Sequence, residues 1–287
     1  MLVSRKGEWL LLEIQQEISV EDILRELHLT CEYKTSRKDG ILKPKDTLWL
    51  RVFEDKEVDF IPQEGHLDIV YEDDLLLIVN KPPQMLVHPD SKDGKYTLAN
   101  LVAYYYQMNG IQTTVRPLHR LDMDTTGLVI FSKCPKLQPY FDALLQNKDI
   151  SRYYKAIVNG YYALNQKFSV EAPIGRDRHV NGKHRVSETG KWAKTNVHCL
   201  SSSRSKNMSL VECELESGRT HQIRVHLSYH RHPIVGDSMY NTIPSQSRMA
   251  LHAYKLKINS VLYSKDFEIE IPMAKDMVKL MKANNLR

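Results

Sequence analysis

Only four of the 287 residues are cysteine (Cys31, Cys134, Cys199 and Cys213), and no two of them form a CxxC pair. Such scatter argues against a disulfide framework or a zinc site and reads as ordinary reduced thiols. Long apolar runs are missing too. The longest aliphatic run, Leu75 to Val79, is one strand long, far short of the roughly 20 residues that cross a bilayer, so no membrane association is expected. The opening MLVSRKGEWLLLEI has too short an apolar stretch, with glutamates on both sides, for a signal peptide, and a cytoplasmic location is expected. No HExxH or comparable metal set occurs, and no internal repeat or low-complexity segment is evident.

Charge of one sign is also scarce: 40 Lys+Arg stand against 35 Asp+Glu, a formal net charge of +5 that permits a polyanionic partner without requiring one. Its distribution says more. Acidic residues crowd the first ninety positions, whereas Arg176, Arg178, Lys183, Arg185, Lys191 and Lys194 cluster with His179 and His184. That stretch suits nucleic-acid contact or a solvated basic loop equally. With 42% hydrophobic and 26% charged residues, the chain has the composition of a globular protein and the length for one large domain with an appendage, or two ordinary domains.

Residues 1–60 read as a small α/β unit. Ser19, with Asp22 three residues on and Ile18 and Ile23 as a staple, predicts a short helix through Ile23, Leu24 and Leu27. Asp39-Gly40 marks a turn, and Thr47 to Val52 alternates like a strand. Phe60 to Gly65 is the best linker, placing a larger domain over 61–287. There Ile69 to Tyr71 and Leu75 to Val79 read as paired strands, Leu137 to Leu145 and Lys275 to Met281 as helices, and Tyr154 to Val158, Thr195 to Cys199, Ser209 to Leu215 and Tyr254 to Ile258 as strands. Strands with intervening helices but no regular βαβ alternation predict an α+β architecture with a mixed, mainly antiparallel sheet.

Chemistry concentrates in four stretches. His119 to Lys133, HRLDMDTTGLVIFSK, sets Asp122 beside Arg120, ahead of a small-residue turn (Thr125, Thr126, Gly127) and a buried strand. An aspartate held rigidly near cations suits nucleophilic chemistry, although an Arg-x-Asp pair also serves as a surface ion pair or a turn cap. Lys81 to Pro89 is a proline-punctuated loop with a cation and a histidine. Arg152 to Gly160 alternates aromatic and apolar residues. Ser217 to Leu227 packs Arg219, His221, Gln222, Arg224 and His226 around Ile223 and Val225, a donor set for phosphates or carboxylates, or else a surface ion-pair cluster.

Together these segments resemble the RluA-type pseudouridine synthases, whose pattern runs KPxGxxxHP, HRLDxxTSG, KxYxA and GRTHQIRVHL…GxPIxGDxxY. Here they stand in order at Lys81 to Pro89, His119 to Gly127, Arg152 to Ala156, and Gly218 through Gly236 and Asp237 to Tyr240. The likeness covers roughly residues 66 to 275. Gln84 replaces a glycine, Thr126 a serine and Arg152 the common lysine.

The resemblance implies the pseudouridine synthase fold with an S4-like N-terminal unit, and an isomerase that converts uridine to pseudouridine in structured ribosomal or transfer RNA. It implies Asp122 as the catalytic aspartate, Tyr154 as the tyrosine stacked on the uracil, Arg224 as the aspartate's partner, and Arg120 as the residue filling the place of the extruded base. His119, Lys81, Arg219, His221 and Gln222 are further expected RNA contacts, and Ile223, Thr126 and Gly127 expected pocket residues. Because substrate and product are isomers, no cofactor is expected; no metal and a monomer are expected as well. Two other readings are an RNA-binding protein without catalysis, which has no need of Asp122, and a carboxylate hydrolase, which would need a second acid such as Asp237.

Overall fold

The apolar runs at Leu75–Val79 and Leu128–Phe131 set the architecture, because a strand apolar at every position must be covered on both faces. In the computed structural model, which describes residues 2–89, 94–263 and 267–286, the strands Leu76–Lys81 and Thr126–Ser132 pair antiparallel near one end of a ten-stranded sheet. Alternate side chains serve two cores. Leu77, Val79, Val129 and Phe131 pack with helix Leu98–Met108 on one face. Leu76, Ile78, Leu128 and Ile130 pack on the other with Phe141 and Leu144 of helix Gln138–Gln146.

Neighbouring strands in the main path run Lys167–Glu171, Lys194–Ser203, Met208–Leu215, Ile150–Asn159, Leu251–Ile258, Thr126–Ser132, Leu76–Lys81 and Ile69–Glu72. Along that path every pairing is antiparallel except Thr126–Ser132 against Leu251–Ile258. The expected α+β fold with a mixed, mainly antiparallel sheet is what forms. The parallel step fixes the site: Ala253 lies opposite Gly127 on one side and Tyr154 on the other. The three strands crowd there, and a Cβ on Gly127, whose φ is +112°, would stand 2.1 Å from the Ala253 carbonyl oxygen. Only glycine tolerates both that conformation and that approach.

Residues 2–51 form an antiparallel sheet in the order Leu2–Lys6, Trp9–Glu13, Thr47–Arg51 and Tyr33–Thr35. Helix Val20–Glu26 begins where expected, the Ser19 hydroxyl accepting from the Asp22 N–H at 3.0 Å. Leu10, Leu12, Leu48 and Leu50 are fully buried and continue into the core formed by Leu76, Ile78 and Phe141. The proline-flanked stretch after Phe60 is tied down: the Gln63 N–H donates to the Asn100 carbonyl, and the Asn100 amide to that of Ile61.

Candidate active site

The loop that carries Asp122 is pinned from behind by two cations. Lys81, fully buried, donates from Nζ to the carbonyls of Pro82 (2.9 Å), Met85 (2.8 Å) and Met123 (2.9 Å). Burial pushes its pKa down to about 7, against the opposing charges of Asp124 and Asp122. Three acceptors need three N–H donors, which only the ammonium supplies. Arg248 donates from Nη1 to the Asp124 carbonyl at 3.1 Å and from Nη2 to the Thr126 hydroxyl at 3.3 Å, and pairs with Asp276 at 2.6 Å.

Asp122 itself faces a cleft. Its Oδ2 lies 2.9 Å from Arg224 Nη1, while Arg224 Nε and Nη2 fork onto Asp237 Oδ2 and Oδ1 at 2.8 and 2.9 Å. A bidentate fork fixes the guanidinium plane, so Asp237 aims the remaining nitrogen at Asp122. Burial opposes the charge on Arg224, but the hydrogen bonds and charges of Asp237 and Asp122 outweigh it and hold its pKa above the ordinary value. Asp237 Oδ1 also accepts from the N–H groups of Met239 and Tyr240 at 3.0 and 3.2 Å. Its side chain is wholly buried behind the cleft, so it is a structural carboxylate and not the accessible second acid a hydrolase requires.

His221 approaches the other carboxylate oxygen, with Nε2 at 3.9 Å from Oδ1. The Tyr240 hydroxyl accepts from the His184 N–H at 2.8 Å and shares a hydrogen bond with His221 Nδ1 at 2.9 Å, so that the other ring nitrogen is the one turned toward Asp122. Burial, partly offset by Asp122, lowers the pKa of His221. The backbone there is left-handed at φ +56°, an uncommon conformation for a non-glycine residue, directly before helix Gln222–Tyr229. The basic stretch read from the sequence is in part the hairpin of Ile174–Arg176 and His184–Val186, adjoining this helix through Ile174, Val186 and Val225.

The cleft holds about 670 Å³, and Asp122, Tyr154, Arg224, Arg120, His119, Arg219, His221, Gln222 and Ile223 all line it. Tyr154 is 4% exposed on strand Ile150–Asn159, and burial raises its pKa, leaving a neutral phenol. Arg120 and Arg219 are exposed, the latter donating from Nε to the Trp192 carbonyl at 2.9 Å. Burial pushes His119 down to about 3, so it is a neutral ring at the cleft wall.

Four expectations change. Lys81 lies outside the cleft with its ammonium spent on carbonyls, and so holds the loop instead of touching RNA. Gln222 lines the wall but is 3% exposed, its amide donating to the Lys194 carbonyl and its oxygen accepting from Ser217 and the Arg219 N–H. Thr126 and Gly127 are not pocket residues; they are buried at the strand crossing, and Thr125 is the turn residue that reaches the cleft. Asp237 as the orienting carboxylate and Arg248 as the loop's second anchor were missed. Asp237 stands in the matched GDxxY stretch, whereas Arg248 lies in a motif-free segment that gave no signal.

Among the described residues, no cluster of three His, Cys, Asp or Glu side chains is arranged to hold a metal, and no helix is long and apolar enough to cross a membrane. The geometry is that of a carboxylate paired with an oriented arginine in a cleft that a buried tyrosine also lines, and known proteins share its sequence frame. The family described as RNA pseudouridylate synthase matches residues 75–229. The uncharacterised RNA pseudouridine synthase YhcT of Bacillus subtilis (strain 168) is 36% identical over 98% of this chain and 96% of its own. Ribosomal large subunit pseudouridine synthase D of Haemophilus ducreyi is 33% identical over 80% of this chain and 74% of its own. In structure, human RNA pseudouridylate synthase domain containing 4 superposes with a TM-score of 0.63 at 22% identity, over 77% of this chain and 94% of that one. With three of the four motifs lining one cleft, the fourth bracing the Asp122 loop from behind, and relatives matched nearly end to end, the chain belongs to the RluA-type RNA pseudouridine synthases, isomerases that convert uridine in RNA to pseudouridine.

Proposed function

We propose that this enzyme modifies uridine in ribosomal RNA, with Asp122 as the reacting carboxylate, Arg224 as its charge partner and Tyr154 as the surface on which the uracil turns. The observation that carries the reading is the 2.9 Å contact of Asp122 with an arginine held by a second, buried aspartate, in a cleft that Tyr154 also lines. Ribosomal RNA is preferred over transfer RNA because relatives named ribosomal large subunit pseudouridine synthase D recur among the matches.

The reaction breaks the uracil N1–C1′ bond, turns the base and joins C5 to C1′; C5 loses a proton and N1 gains one. The Asp122 carboxylate, held at Arg224, is suited to attack C1′ or C6, or to abstract a sugar proton and give a glycal. The neutral Tyr154 phenol packs flat against a base and can pass a proton. Extruding the base costs a few kcal/mol, which exposed Arg120 offsets by filling the gap it leaves. A binding protein without catalysis would have no use for a doubly supported Arg224.

The test is site-resolved pseudouridine mapping of ribosomal and transfer RNA from cells that carry the gene, lack it, or carry Asp122→Asn. The expected result is a ribosomal site lost in both altered strains, with the variant binding RNA within a few-fold of wild type. A variant that restores the modification removes Asp122 from the chemistry, and a loss confined to transfer RNA reassigns the substrate.

A further inference from the structure

Among the described residues, Arg152 is a buried cation without a counter-charge. It is 9% exposed, its Nε has no hydrogen-bond partner, and among the described residues its guanidinium enters no ion pair. Glu216, the acid that lines the same cleft on that side, is already taken by Lys148 at 2.7 Å and Lys194 at 3.0 Å. A desolvated, unpaired charge costs several kcal/mol, so natural chains seldom keep one without use.

Its position points to a ligand. Arg152 and Tyr154 are both buried positions of the alternating strand Ile150–Asn159, so they share a face, about 7 Å apart along the chain. Both line the cleft. That spacing is of the order separating a nucleobase from its own phosphate. Across the cleft the guanidinium lies against Gly218, where an added Cβ would stand 3.2 and 3.3 Å from Nη1 and Nη2. A glycine there leaves room for the planar fork, which matches two phosphate oxygens as an ammonium does not. The charge also reaches its neighbours, opposing protonation of His119 and easing ionisation of Tyr154.

We infer that Arg152 is the anchor for a backbone phosphate next to the extruded uridine, a phosphodiester subsite built into the same strand as Tyr154. The inference rests on the isomerase reading. Arg152 would engage the phosphate only after the nucleotide has left its helix, so it serves turnover more than first binding.

Two measurements test it. The first uses the full chain without RNA: removing an unpaired buried charge should leave the melting temperature of Arg152→Gln and Arg152→Met unchanged or raised. A fall of several degrees in both would make Arg152 a structural residue and overturn the inference, whatever the enzyme acts on. The second uses a hairpin containing the mapped uridine, synthesised with a normal phosphodiester or an uncharged methylphosphonate on each side of it. One neutral linkage should lower wild-type kcat/KM about 10- to 100-fold; Arg152→Gln should show the same loss on the normal hairpin and little further loss on the neutral one, and Arg152→Lys should recover part. Wild-type indifference to both neutral linkages, or losses that multiply, would sink the subsite. A hairpin that wild type leaves unmodified would count against the isomerase reading instead, and the melting result would still judge Arg152.

Discussion

The least replaceable geometry at the scale of single residues is the Asp122–Arg224–Asp237 line. Arg224 could satisfy Asp122 from many rotamers; the fork from Asp237 selects one. Asp237→Asn keeps the shape but turns an acceptor pair into one acceptor and one donor, leaving an Arg224 nitrogen facing an N–H. Breaking a buried pair this way costs about 3 kcal/mol of stability. The expected outcome is a lower melting temperature and a kcat reduced at least tenfold, with KM for RNA changed by no more than a few-fold. A change in KM alone would show that Asp237 supports RNA binding and not the aim of Arg224. The meeting of Asp122, Tyr154 and Arg224 at one cleft was legible in the sequence because each stands inside a dense motif. The position of Lys81 was not, since residue type says nothing about whether an ammonium meets phosphate or three carbonyls.

Among the elements, the strands with long or alternating apolar patterns were readable: Leu76–Lys81, Ile150–Asn159, Lys194–Ser203 and Met208–Leu215 fall on or around their expected spans. Helix Leu98–Met108 was missed because LANLVAYYYQM is apolar and aromatic nearly throughout, so helical spacing does not separate from a buried strand. Trp9–Glu13 was missed for a related reason, its three leucines being too few to show a period.

The parallel pairing of Thr126–Ser132 with Leu251–Ile258 depends on residues 126 positions apart, and His252 clamps it. His252 Nε2 donates to the Pro272 carbonyl at 3.1 Å, which leaves Nδ1 to accept from the Thr126 hydroxyl at 2.8 Å. Burial first, then nearby Arg248 and Lys155, outweigh the Pro272 hydrogen bond and hold this ring neutral, with its pKa down at about 4 against an ordinary 6.5. The unfolded chain therefore takes up the proton first as pH falls. The His252 contribution is complete above 6.5, declines between 6.5 and 4, and amounts to about 3 kcal/mol across that window. Urea midpoints at pH 7.5 and 5 should fall accordingly in wild type and fall less in His252→Gln; equal slopes would assign the acid sensitivity to other histidines such as His119.

The whole molecule is organised by a core that ignores the sequence boundary near residue 60. Leu10, Leu12, Leu48, Leu50 and Phe53 belong to the same buried cluster as Leu76, Ile78, Leu128, Ile130, Leu137 and Phe141. The Cys134 thiol reaches the Val52 carbonyl at 3.5 Å, and Lys136 pairs with Glu54 at 2.6 Å. A catalytic segment cut at residue 54 would bare the part of this core that Leu10, Leu12, Leu48, Leu50 and Phe53 cover, an apolar patch of the kind that drives aggregation. The expected outcome is that residues 54–287 alone are recovered largely insoluble, while the full chain melts in a single transition that Leu48→Ala lowers by about 3 kcal/mol. Solubility on expression and the melting profile read this directly. A soluble 54–287 segment with wild-type modification of its RNA would show that the N-terminal sheet is an independent attachment, and that the strands beneath it cover themselves by another packing.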